Sequence, residues 1–348
     1  MAKEISTNPV SRYQQIKKYL GGSGEPDYRY RQIVKAIFEQ KIDSFQKITN
    51  IAKPLRDSLE ERFGPVLSLK PVDKRQSFGV KKILFELKDR QKIETVKMNY
   101  RNWQSVCVSS QIGCSLKCAF CATGKIGLKR NLTVNEITDQ VLFFHLTGTK
   151  IHSISFMGMG EPLLNPATLT AIKDLTDGDL FGFSQRKINV STVGIIPGLE
   201  KLIAKFPQVN VAFSLHSPFE EQRKQLMPIS KQYSIKDVLN ILDKHIEKNK
   251  RKVFLPYLMI DQVNDTSIHV KELADLIRER KNNYLYHVNL IAYHPISKSD
   301  KFQSPGDNKI LWFKRELEKA KVNVTIRYSP GQSIKAACGQ LHAQYQYH

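Results

Sequence analysis

The sequence predicts an α/β protein: an incomplete parallel (β/α)6 barrel preceded by a small helical N-terminal accessory domain. Two observations predict it. From about residue 103, six strand-length apolar runs alternate with helical stretches, the pattern of strand–helix units in a parallel sheet. Six units are fewer than the eight of a closed barrel. Before them, residues 1–65 carry only helix-period apolar spacing.

Helices are expected over 10–20, 28–40 and 54–63, with GGSGEP at 21–26 as a short linker. Residues 76–98 turn strand-like in VKKILFEL and KIETVKM. Candidate strands follow at 104–110, 151–157, 186–192, 208–214, 252–260 and 285–291. The clearest helix is 134–147, because Thr133 and Glu136 form a capping-box pattern. Others are expected over 196–205, 234–248 and 265–281, then helix 307–320 and strand 322–327. The chain is divided into a helical module (1–75), a strand-rich connector (76–102), a core (103–333) and a tail (334–348).

Charge points to a polyanionic partner. Lys and Arg total 54 against 33 Asp and Glu, a net charge of +21. Residues 101–130 hold Arg101, Lys117, Lys125, Lys129 and Arg130 with no acid. Neutralising phosphates releases condensed counterions, so this excess suits nucleic acid. No apolar stretch is long enough to span a bilayer, and the start lacks the apolar centre of a secretory signal. A cytoplasmic protein with no membrane partner is expected.

The sharpest motif is Cys114-Ser-Leu-Lys-Cys118-Ala-Phe120-Cys121, in the loop after the first strand of the alternating region. Three thiolates in eight residues can wrap one soft metal centre. A [4Fe–4S] cluster takes four cysteines, so three leave one iron open to a ligand. The rival is zinc, which needs a fourth ligand for a closed structural site. The nearest downstream histidine, His145, falls inside a predicted helix.

The carboxyl ends of parallel strands are where active sites collect. Here they carry the cysteine loop, Gly158-Met159-Gly160-Glu161-Pro162, Ser191-Thr192, Ser214-Leu215-His216-Ser217 and Tyr293-His294-Pro295. The glycine segment is no dinucleotide fingerprint, since Leu163 stands where the third glycine belongs. Its glycines would let backbone approach a ligand, with Glu161 accepting from an amine.

Two further cysteines stand apart. Cys107 lies in a strand-like Val-Cys-Val run and Cys338 in Ala-Ala-Cys-Gly-Gln-Leu. Each has a bland reading as a small packed hydrophobe. Chemistry offers another. A thiolate takes a methyl group readily, so it can carry one to an atom that is not itself nucleophilic. A covalent adduct formed through that sulfur could then be released by a second thiol.

The three-cysteine spacing, with an aromatic before the last cysteine, resembles the signature of radical S-adenosylmethionine (SAM) enzymes. With VCVSSQIGCSLKCAFCATG, FMGMGEPLLN, VSTVGIIP, FSLHSP, YHVNLI and AACGQL, residues 27–341 resemble the RlmN/Cfr family of 23S rRNA adenine-2503 methyltransferases. The resemblance implies a partial (β/α)6 radical SAM barrel and an RNA-binding N-terminal domain. It implies Cys114, Cys118 and Cys121 as ligands of a [4Fe–4S] cluster. Gly160, Glu161, Ser191, Ser214, Leu215 and His216 would contact SAM. Cys338 would be the transiently methylated cysteine, Cys107 the one resolving the RNA adduct, and Glu94 a proton acceptor. On its own, Glu94 reads as a solvated strand charge. His294 would contact SAM where the family pattern has Asn, since histidine can still donate or accept one hydrogen bond.

EPDYR, IGLKRNLTVNEITDQVL, SISFMGMGE and LYHVNLI resemble the Cfr branch. That branch implies methylation at C8, with resistance to antibiotics of the peptidyl transferase centre. The partners implied are 23S rRNA, in assembling ribosomes or free, and a reducing electron donor such as flavodoxin or ferredoxin. Two alternatives stay open: a C2-methylating enzyme acting also on transfer RNA, and a non-catalytic RNA-binding protein with structural zinc.

Overall fold

The computed structural model describes residues 9–295, 300–327, 334, 340 and 341. It opens with helices α1 (Arg12–Gly22), α2 (Asp27–Phe38) and α3 (Lys53–Phe63). Ser11 and Gln14 form a capping box at α1, which satisfies amide donors that a helix start leaves open. The apolar stripes of the three helices close on Tyr13, Ile16, Ile33, Ile37, Phe45 and Leu59.

The expected strand-like stretch is longer than its pattern indicated. It forms three antiparallel strands, β1 (Lys70–Ser77), β2 (Val80–Glu86) and β3 (Lys92–Tyr100). Most of β1 was hidden in the sequence because it is polar, mostly exposed and carries Pro71, as an edge strand can.

Next come β4 (Trp103–Val108), β5 (Gln111–Ile112), α4 (Ala122–Ile126), β6 (Arg130–Asn131), α5 (Val134–Leu146), β7 (Ser153–Phe156), α6 (Ala167–Thr176) and β8 (Ile188–Thr192). The chain continues through α7 (Ile196–Lys205), β9 (Asn210–Phe213), α8 (Glu220–Leu226), α9 (Ile235–Asn249) and β10 (Val253–Met259). It finishes with α10 (Ser267–Arg278), β11 (Tyr286–Ala292), α11 (Asp307–Lys319) and β12 (Val324–Ile326). Strands β4, β7, β8, β9, β10, β11 and β12 lie side by side in one parallel run. The six expected units are present, and the short seventh strand extends them. Helices α4, α6 and α8 had no expectation attached.

The predicted cap of α5 is present: Thr133 Oγ1 accepts from the Glu136 amide at 3.2 Å, and the Glu136 carboxylate accepts from the Thr133 amide at 2.8 Å. The pleat then sorts the sheet into two faces. Val106, Ile154 and Val190 are fully buried in the main core cluster with α5. Glu94, Cys107, Ser155, Ser191 and Ser214 alternate onto the other face, as the strand register requires.

The helical bundle shares its core with the barrel. Leu142 of α5 belongs to the bundle's cluster. Beside it, Arg12 pairs with Asp139 at 3.0 Å with both side chains buried, and Asp139 also accepts from the Ser68 amide at 2.7 Å. His145 of α5 donates from Nε2 to the Phe38 carbonyl at 2.6 Å. It serves the helical bundle, not the cysteine loop. No helix among the described residues is long and apolar enough to cross a membrane.

Candidate active site

The cysteine loop leaves the carboxyl end of β4 and is closed by two backbone bonds. The Cys114 amide donates to Gly127 O at 3.1 Å and the Lys129 amide to Ile112 O at 2.9 Å. Cys114, Cys118 and Cys121 line one cavity with Gly160, Glu161, Ser191, Ser214 and His216. Its empty volume is about 910 Å³ including the open mouth. Burial pushes the Cys114 thiol up to about 11 and Cys118 higher still, and the neighbouring thiols add to both shifts. Uncompensated thiolates are therefore disfavoured on this wall.

Glu161 is buried and accepts from the Leu163 amide at 3.2 Å and the Val193 amide at 3.0 Å. Burial raises its carboxyl to about 7, and these hydrogen bonds only partly oppose the rise. Gly160 has φ +95°, and a β-carbon there would fall 2.4 Å from the Gln111 side chain. Gln111 needs that space, since its Oε1 accepts from the Glu161 amide at 2.8 Å. The glycine lets β5 approach and orient the glutamate.

The Ser191 and Ser214 hydroxyls lie 3.3 Å apart across β8 and β9. His216 adopts φ +58°, uncommon for a residue with a side chain. Its Nδ1 accepts from the Leu258 amide at 3.0 Å, and Asn264 Nδ2 donates to its carbonyl at 2.7 Å. Burial lowers its pKa to about 3. The neutral ring therefore carries its proton on Nε2 and presents a donor.

Other expected site residues sit farther back. Leu215 is fully buried, and its amide donates to Pro256 O at 3.1 Å. Half-buried His294 follows Tyr293, beyond the cavity-lining Ile291. Cys107 is buried in β4, on the same sheet face as Glu94 and Ser155. The solvated reading of Glu94 is corrected: it is 1% exposed and its Oε1 lies 2.8 Å from Lys82 Nζ. An antiparallel neighbour strand places that lysine on the same face, a pairing invisible before register is known. Cys338 lies outside the described residues.

Two family models match the chain: the radical SAM superfamily over residues 108–287 and the ribosomal RNA large subunit methyltransferase N-terminal domain over 11–64. Ribosomal RNA large subunit methyltransferase Cfr of Staphylococcus warneri is 47% identical, covering 98% of this chain and 99% of its own. The Cfr of Clostridium botulinum (strain Loch Maree / Type A3) is 48% identical over 95% and 97%. The chain belongs to the Cfr/RlmN family of radical SAM ribosomal RNA methyltransferases. A radical SAM methyltransferase from Sphaerobacter thermophilus shares the fold, with a TM-score of 0.90 and 36% identity over 97% of this chain and 99% of that one.

Cfr/RlmN enzymes use a [4Fe–4S] cluster and SAM. The donor set here fits that cluster. Three cysteines, Cys114, Cys118 and Cys121, line one wall of the cavity, and three thiolates leave one iron of such a cluster open to a ligand.

For a Cfr/RlmN enzyme, three residues of this region were missed in the sequence. Gln111 orients Glu161. Asn264 holds His216 and also donates to Leu258 O at 2.7 Å. Arg223 is buried behind the strand ends. A lone Asn or Gln carries no spacing signal, and Arg223 resembles its half-buried helix neighbour Lys224.

Proposed function

We propose that this enzyme methylates C8 of adenine 2503 in 23S rRNA through a methyl group carried on Cys338. The reading is supported by Cfr-named relatives that align with nearly the whole chain. One contact supports the role of the tail. Thr123, two residues after Cys121, donates to the Leu341 carbonyl at 2.6 Å. Cys338 precedes Leu341 by three residues in the sequence.

A [4Fe–4S] cluster held by Cys114, Cys118 and Cys121 would, with SAM bound, supply radical chemistry through a 5′-deoxyadenosyl radical. This chain's residues do the rest. Glu161 receives the SAM amino group, Ser191 and Ser214 bind its polar groups, and His216 donates from Nε2. Cys114, Cys118 and Cys121 hold the cluster. The Cys338 thiolate accepts the methyl group, whose carbon then bridges the sulfur and the base; Cys107 attacks the Cys338 sulfur, so that a disulfide forms as the sulfur–carbon bond breaks and the carbon takes a proton. Glu94, held by Lys82, takes the proton lost from the base. The adenine must leave its stack to reach the cavity.

Residues 1–75 serve as the RNA-binding accessory domain, 76–102 as the connector, 103–333 as the radical SAM core and 334–348 as the methyl-carrying tail. A flavodoxin- or ferredoxin-like donor in the cytoplasm would provide the electron. The test is an RNA substrate deuterated at adenine C8, followed by mass spectrometry of the methylated base. Loss of the label supports C8. Product that retains it assigns the enzyme to C2.

A further inference from the structure

Arg223 of α8 is fully buried, and its described hydrogen bonds all go to neutral oxygens. Nε donates to Leu215 O at 3.1 Å. One terminal nitrogen donates to Ser230 Oγ at 2.6 Å. The other is shared by Val193 O at 2.8 Å and Ser214 O at 3.0 Å. The guanidinium also lies 4.8 Å from the Phe213 ring centroid. Val193 directly follows β8, and Ser214 and Leu215 directly follow β9. One fork thus ties together two strand ends whose side chains form the cavity floor. Burying a guanidinium without an ion-paired carboxylate is unfavourable. Glu220, the nearest acid by its electrostatic effect, uses Oε1 to accept from the Ile235 amide at 2.6 Å.

The same helix touches the cysteine loop. The Ala119 amide donates to Leu226 O at 2.9 Å. Phe120 shares a cluster with Leu226 and Met227, and Cys118 and Cys121 pack against it. Three thiolates would bring negative charge to this wall, and Arg223 is a fixed cation behind it. Burial lowers its pKa to about 10, so it remains charged at neutral pH.

We propose that Arg223 is a positioning residue with two effects: its fork aligns the loops after β8 and β9 for SAM, and its charge stabilises the reduced state of the cluster. The second effect rests on the three-cysteine assignment. That assignment has its own control, the iron content of the wild-type enzyme.

The experiment compares reconstituted wild type with Arg223→Gln, Arg223→Lys and Ser230→Ala. The readouts are circular dichroism, iron content, cluster midpoint potential and equilibrium SAM affinity. Arg223→Gln should make the potential more negative, because a cation favours the reduced, more negative cluster, and should weaken SAM binding about tenfold. Arg223→Lys should hold the potential near wild type yet still lose SAM affinity, since an ammonium has no planar fork. Ser230→Ala should leave the potential unchanged and weaken SAM a few-fold. If Arg223→Gln fails to fold, the Lys and Ala variants decide the fork, and Arg223→Met, which keeps the aliphatic stem without the charge, decides the second effect. Wild-type SAM affinity in both Arg223→Lys and Ser230→Ala overturns the fork, and a wild-type potential in the neutral variant overturns the charge. In folded Arg223→Gln, an unchanged potential and affinity overturn the whole proposal.

Discussion

The Phe120 ring meets the His216 imidazole edge-on, with centroids 5.0 Å apart and planes at 85°. This contact joins the aromatic position of the cysteine motif to the strand end after β9. Phe120→Ala should destabilise the protein by about 3 kcal/mol, as for truncation of a buried aromatic. It should also loosen both walls of the cavity. Urea unfolding at neutral pH checks the first effect and SAM affinity the second. Phe120→Leu, which keeps most of the volume, should retain most of both.

Glu161 gives SAM binding a pH dependence of known sign. Its carboxyl is raised to about 7 by burial, so below that pH it is protonated and cannot ion-pair with an ammonium group. Affinity for SAM should therefore rise as pH increases through about 7. Glu161→Gln should bind weakly with a flattened profile. Isothermal titration across pH 6 to 8.5, about one unit or more on either side of that midpoint, reads both enzymes. A wild-type profile equally flat would remove Glu161 from the amine contact.

Gly160→Ala inserts a β-carbon 2.4 Å from Gln111 at φ +95°. Gln111 or the strand must move, and the Gln111–Glu161 bond breaks. Overpacking of this kind costs about 1–3 kcal/mol. The expected outcome is a lower thermal midpoint together with a loss of SAM affinity larger than that of Gln111→Ala.

The two cysteines outside the cluster loop separate by their trapped states. Cys107→Ala should accumulate a covalent protein–RNA adduct, resolved by denaturing gel electrophoresis after anaerobic reaction. Cys338→Ala should give neither adduct nor methylated RNA. Normal turnover by Cys107→Ala would exclude its resolving role.

The fold was legible where periodicity was strong. The Thr133 capping box, the parallel strands and the three N-terminal helices all left patterns that survive folding. Strand β1 did not, because an exposed edge needs no apolar face. The site was half legible. Cys114, Cys118, Cys121 and Glu161 stand in compact motifs. Gln111, Asn264 and Arg223 act on partners brought together only by strand order, and Lys82 meets Glu94 only once β2 pairs with β3. Such residues have meaning in three dimensions and none in spacing.

The buried Arg12–Asp139 pair governs how the molecule can be cut. Removing the first sixty-six residues would strip Asp139 of its cation and wet Leu142 on α5. Losing one member of a buried ion pair typically costs about 3–5 kcal/mol. A truncation meant to isolate the barrel would then report damage to α5 as though it were lost affinity for RNA. Point substitutions on the exposed side of the bundle avoid that confusion.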